Sequence, residues 1–409
     1  MKRRIFIILI LLGLACIDAT AQLYLFPGRR KSRPDTVSVS SARMEADTVL
    51  SVVADSLEQE FVPDIPETVK VCLAMPFSLE ARSQGSNFLD FYSGALLAAR
   101  DLGNSGIKIE LDVFDCFNED FSRFAGKLQE GDVIIGPVSP ADILSELDVC
   151  PEDKWVISPL DQRAASLAST HNVIHAASSS EAQAEELVKW IAEDQESEYG
   201  KVTLLKEKGI EGGEMFRYLT EKLGEYGIAC DTVSYGLLEG LTAADRFFNV
   251  TDTLTHRRYV IASDNEAFVG DVIRNLAMMK YKGAKLTAYG TSRIKSFESL
   301  EQEDLYSISL KLTASYDIDY GNQAVKDFIL TYRALFQAEP NAYSFSGYDI
   351  MHYFVNICAK YGRAWSAKLQ EFEEYGLQEN FRFTELEPAN VNKAVRRISY
   401  NPDHSITVQ

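Results

Sequence analysis

The stretch VIIGPVSPADI, residues 133–143, decides how this chain is read. Val133, Ile134 and Ile135 make a short apolar run that Gly136 and Pro137 stop. Ser139-Pro140 then opens a segment whose Ile143, Leu144 and Leu147 recur three and four apart. The pattern is strand, tight turn, helix. Ser139 is a good N-cap, Pro140 suits the first helical position, where a missing N–H costs nothing, and Asp142 complements the positive end of the helix dipole. The same geometry aims the first N–H groups of the helix at the crevice where open α/β sheets bind small molecules. Ser139 therefore carries two readings, helix cap and ligand contact.

Working outward, strands and helices alternate. Upstream lie VKVCLAM (69–75), the amphipathic NFLDFYSGALLAARDLG (87–103), IELDVFD within a strand over 107–115, and SRFAGKL (122–128); downstream lies WVISP (155–159). Short connections between such elements imply a parallel sheet with helices on both faces. After Pro159 the pattern breaks, restarts at NVIHAA (172–177) and runs through a second series. That series has helices over 178–193, 212–227 and 265–281, and strands over 201–207, 228–235, 257–263 and 285–290. A strand over 307–315, two helices (321–337 and 342–361) and a strand-rich tail follow, the tail turning at Asn401-Pro402-Asp403. The expected fold class is α/β: two doubly wound parallel-sheet lobes joined by several hinge crossovers, with a cleft between them. The expected boundaries are 68–177 plus 316–362 for the first lobe and 178–315 plus 363–409 for the second.

The start, MKRRIFIILILLGLACIDATAQ, combines basic residues, a short apolar run and the small residues Ala19-Thr20-Ala21. It reads as an export signal over 1–21, cleaved after Ala21, which makes the protein periplasmic. The alternative is cleavage before Cys16 and lipid attachment there, and membrane contact is expected only through that anchor. Residues 22–67 are rich in Ser, Asp, Glu and Pro without a sustained period and read as a disordered leader.

The formal charge of −19 becomes −21 once Lys2, Arg3, Arg4 and Asp18 leave with the signal, which excludes nucleic acid as a partner class. Cys72, Cys116, Cys150, Cys230 and Cys358 would remain, an odd number spread through apolar segments rather than set at metal-ligand spacings. His171 and His175 stand four apart in loop and strand, not on a metal-binding helix. The chain has no HExxH, GxSxG, phosphate loop or dinucleotide fingerprint. No catalytic residue, metal or cofactor is expected. A hydrolase, the third class considered, would need a carboxylate pair in the cleft, and no spacing picks one out.

Residues 68–409 resemble the type 1 periplasmic solute-binding family, the two-lobed receptors that include the branched-chain amino-acid binders. They are most similar in character to envelope-associated members such as lipoprotein activators of peptidoglycan synthases. Nine pieces carry the resemblance, in order: the first strand ending at Pro76; the helix with Gly94 and Ala98-Ala99-Arg100; IELDVFD; IIGPVS; VISP; the Ser-rich entry to the second lobe; RYVIASDNEA; TAYGTSR; and NAYSFSGYDIMHYF. In amino-acid-binding members, hydroxyls and N–H groups from the loops after the third and fourth strands meet the ligand carboxylate, and an acidic residue of the second lobe meets the ammonium. Carried over by position, this implies Ser139 and Ser158 for the carboxylate and Glu266 for the ammonium. Asp161 and Gln162 lie on the second of those loops, and Tyr92 and Tyr316 are candidates to stack across the cleft. Asp161 and Asp142 would repel a carboxylate, so a ligand with an amine, sugar hydroxyls or amides suits these residues better than a free amino acid. The implied function is a non-enzymatic receptor closing on a small polar ligand and serving an ABC permease. The alternative is an envelope scaffold contacting a cell-wall synthesis protein.

Overall fold

The computed structural model describes residues 63–77, 85–117, 119–197, 200–209, 214–237, 255–386 and 388–409. The export signal, Cys16 and the leader as far as residue 62 lie outside the described residues. Among the described residues no helix is long and apolar enough to cross a membrane.

The first sheet contains β1 (Val69–Met75), β2 (Ile109–Asp115), β3 (Val133–Ile135), β4 (Val156–Ser158) and β5 (Val173–His175), in the order β2-β1-β3-β4-β5. All its pairings are parallel. β1, β3, β4 and β5 are almost wholly buried, as expected for parallel strands covered on both faces. Helix α1 (Gly85–Asn104), α2 (Ala125–Glu130) and α3 (Pro140–Leu147) are its crossovers.

The second sheet contains β6 (Gly200–Glu207), β7 (Cys230–Tyr235), β8 (His256–Ile261), β9 (Leu286–Thr291) and β10 (Lys311–Ala314). Its parallel part runs β10-β9-β8-β6-β7, so the two lobes repeat one strand order. Helices α4 (Ser180–Ser197), α5 (Glu214–Glu225), α6 (Glu266–Tyr281) and α7 (Gln302–Ser307) belong to this series. Chain-terminal strands β13 (Arg396–Tyr400) and β14 (Ile406–Val408) extend it antiparallel beyond β10.

Between these parts the chain returns to the first lobe. Helix α8 (Gln323–Phe336) sets Val325, Phe328 and Tyr332 against Leu97 of α1. Helix α9 (Ala342–Tyr361) buries Ile350, Phe354 and Ile357 with Val71, Leu73 and Ile135, each such side chain contributing about 1.5–3 kcal/mol of burial. α1 and α9 meet backbone to backbone: a Cβ on Gly347 would stand 2.0 Å from the Phe91 carbonyl oxygen, and one on Gly94 1.8 Å from that of Ser344. A short hairpin, β11 (Glu374–Tyr375) with β12 (Asn380–Phe381), follows.

Three expectations are corrected. Trp365, Leu369, Phe381 and Phe383 pack into the first core, so the last return to the second lobe comes after 383 and not at 363; the Trp365 indole N–H donates to the Asp132 carbonyl at 2.9 Å. The leader ends before residue 64, because the Asp64 carbonyl accepts the Arg363 N–H at 3.0 Å and its carboxylate pairs with that guanidinium at 2.7 Å. The strand expected over 307–315 is only 311–314. Ser307 closes α7, and the chain turns through Ser309 at φ 52° while Ile308 and Leu310 are buried as anchors.

Candidate functional site

The turn after β3 is dictated by crowding. Gly136 sits at φ 87°, and a Cβ there would stand 2.0 Å from the Ala74 carbonyl oxygen of β1, so only glycine fits. This is the point where the strand order of the first sheet reverses, the place at which such sheets open a crevice.

The first-lobe candidates are nevertheless committed to internal partners. Ser139 caps α3: its Oγ accepts the Asp142 N–H at 3.2 Å and donates to the Asp142 carboxylate at 2.7 Å. Ser158 is 0% exposed at the end of β4, its Oγ 3.4 Å from Nδ1 of the equally buried His175. Asp161 caps the 3-10 turn 162–169 and grips the Arg163 guanidinium at 2.6 Å, which holds its carboxyl below the usual range. Gln162 donates from Nε2 to the Ser178 carbonyl at 3.1 Å, tying the loop to the first interlobe passage. Tyr92 packs edge-on to Phe77 at 5.9 Å against the first core. In the second lobe, Glu266 accepts the Ser299 N–H at 2.9 Å, and bonding to Ser299 keeps its carboxyl low.

The open space lies elsewhere, at the carboxyl ends of the second sheet. One cavity of about 500 Å³ is bounded by Ser180 and Glu181 at the start of α4, Lys206 and Glu207 at the end of β6, and Asp264 and Asn265 after β8. A second, of about 580 Å³, adds Gln183, Ser292, Arg293, Lys295 and Tyr316. The two share Ser180, Ala184, Met215 and Asp264 and form one crevice. Of the seven expected ligand residues, only Tyr316 lines it; it is 49% exposed.

Some groups there are engaged. The Lys206 ammonium sits 4.7 Å over the Phe216 ring, Glu207 accepts from Asn265 Nδ2 at 3.0 Å, and Lys295 pairs with Asp317. Ser292 donates to Gln183 Oε1 at 3.0 Å, and the Gln183 carbonyl accepts from Thr313 Oγ1 at 2.8 Å, so Gln183 is held from the turn after β9 and from β10. The exposed side chains of Asp264 and Arg293 make no hydrogen bond or ion pair among the described residues. The positive end of α4 borders both cavities, and Ser179 Oγ accepts the Ala182 N–H at 3.2 Å there. The crevice thus offers a carboxylate, a guanidinium, hydroxyls and a helix N-terminus to a polar ligand. These residues were legible only as strand-end loops, SDN and TSR, within RYVIASDNEA and TAYGTSR.

Among the described residues no group of three or more His, Cys, Asp or Glu side chains is placed to hold a metal. Cys72, Cys116, Cys150, Cys230 and Cys358 are free thiols.

No protein-family model and no curated protein matches the chain. Among solved structures it is similar to a Rhodospirillum rubrum protein, provisionally described as a branched-chain amino acid ABC transporter, at TM-score 0.61 and 13% identity over 84% of this chain and 100% of that one. It is also similar to a branched-chain amino acid ABC transporter periplasmic ligand-binding protein from Burkholderia xenovorans, at TM-score 0.50 and 13% identity over 83% of this chain and 94% of that one. The chain has the type 1 periplasmic-binding-protein fold.

Proposed function

We propose that the protein is a non-enzymatic, exported solute-binding protein whose ligand docks in the second-lobe crevice and is covered when the first lobe swings over it. The observation that carries this reading is the pair of unengaged opposite charges, Asp264 and Arg293, on the walls of one crevice beside the start of α4. A ligand bearing an amine and an anionic or amide group matches that pair, with Tyr316 as a stacking wall. Contacts to both lobes at once are what would favour closure. The fold's occurrence in components of ABC transporters supports a permease as partner.

One observation favours the second reading, an envelope scaffold touching a cell-wall synthesis protein without a ligand: Ser139, Ser158 and Asp161 are each already bonded to a partner within the first lobe. A thermal-shift screen of amino acids, amides, short peptides and sugars separates the two. At a hundredfold excess over Kd a true ligand adds about 2.7 kcal/mol of stability. A rise in Tm with one chemical class supports the receptor. A flat screen, with a cell-wall enzyme recovered by pull-down, supports the scaffold.

A further inference from the structure

All three chain passages between the lobes converge on one buried polar knot. In the passage after β10, Tyr316 forms a β-bridge with Glu379, and the Asp317 N–H donates to the Gln378 carbonyl at 3.1 Å. In the last passage, Arg396 at the start of β13 donates from Nη2 to the Gly376 carbonyl at 2.7 Å. In the first, the Ala176 carbonyl accepts from Asn392 Nδ2 at 2.8 Å, and the same amide donates to the Asn380 carbonyl at 2.7 Å. Asp349 of α9 fixes the 376–379 turn by accepting the N–H groups of Leu377, Gln378 and Glu379 at 2.7, 2.8 and 2.9 Å.

Within this knot the hydrogen-bond accounts do not balance. Glu379 is 7% exposed, and its Oε1 accepts from Gln378 Nε2 at 3.2 Å, but Oε2 has no protein partner and neither does Gln378 Oε1. Arg396, 9% exposed, has an unpaired Nε–H. So one junction holds two unpaired acceptors faced by a single buried hydroxyl, Ser346 of α9, and, on the strand from the other lobe, a donor lacking an acceptor. The Ser346 hydroxyl can serve one of the two acceptors, a proton on Glu379 supplies the second donor, and an ionised Glu379 instead has an unused partner in Arg396 Nε.

We propose that Glu379 and Arg396 form a proton-controlled latch in the hinge: protonated Glu379 holds the lobe arrangement described here, and release of that proton to solvent draws the carboxylate toward Arg396 and shifts the lobes. Burial, then the Asp349 charge, push the Glu379 carboxyl up to about 8, and burial pushes Asp349 to about 6. Groups facing the pair are Asp349 and the Ser346 hydroxyl from α9, Asp317 and Asp319 from the passage after β10, and the Tyr316 phenol. Asp317 is already paired with Lys295. The latch rests on the two-lobed fold and not on which ligand the crevice takes.

The test is energy transfer between fluorophores introduced as unnatural amino acids at exposed Ser166 in the first lobe and Lys282 in the second, in the full chain without added ligand, from pH 6 to 9.5. The latch requires a change in transfer with its midpoint near pH 8. Glu379→Gln, which keeps a neutral donor, should hold the low-pH value throughout. Arg396→Gln, which removes the attracting charge, should abolish the change as well. A flat wild-type profile overturns the latch, and so does a transition that survives Glu379→Gln. Loss of the transition in Asp349→Asn with its retention in Glu379→Gln would place the proton on Asp349 and likewise refute it.

Discussion

His175 Nδ1 lies 3.4 Å from Ser158 Oγ, with both side chains fully buried at the ends of adjacent strands and His175 Nε2 without a protein partner. Burial lowers the imidazole to about 4, and Asp161 opposes only part of that shift. The folded state therefore holds His175 neutral while the unfolded chain takes up a proton below about 6.5. This contribution to stability is complete above pH 6.5 and is lost as pH falls toward 4. Urea unfolding at pH 7.5 and pH 5 should differ by roughly 1–3 kcal/mol through this residue, and His175→Gln should flatten that difference.

Ser139 and Asp264 separate capping from binding. Ser139→Ala removes a cap and should cost about 1 kcal/mol of stability, with little change in the affinity of whichever solute the thermal screen identifies. Asp264→Asn sits on an exposed side chain and should leave stability within about 0.5 kcal/mol, while weakening that solute's binding at least tenfold by calorimetry. The reverse pattern would return the site to the first lobe.

The α1–α9 contact is the least forgiving place in the first lobe. Gly347→Ala puts a Cβ against the Phe91 carbonyl with no side chain able to yield. Chemical denaturation should report a loss of about 3 kcal/mol or more.

The ordered body begins before β1. A chain begun at residue 68 loses the Asp64–Arg363 contacts and buried Pro66. It should be less stable by roughly 1–2 kcal/mol than one begun at residue 62.

The fold was legible because its signals are local. VIIGPVSP names its own strand, turn and cap, and the helix expected over 342–361 matches the observed bounds. What sequence hid was long-range. Nothing local tells that Trp365 and Phe381 belong with β1 and β3, or that Asp132 collects Arg363 and Trp365 from more than two hundred residues away. For the site, Ser139 and Asp161 meet partners that are local in sequence, Asp142 and Arg163, whereas the contact of Ser158 with His175 spans two strands and is not visible locally. Arg293 looks like any basic residue in a turn until the second sheet brings it to the same crevice as Asp264.

The most direct test of the receptor account is mass spectrometry of small molecules released by denaturing the purified protein, beside an Asp264→Ala/Arg293→Ala variant prepared in parallel. The account predicts one defined polar solute from the wild type, near one equivalent, and at least tenfold less from the variant. No solute from the wild type, or equal amounts from both proteins, would contradict it.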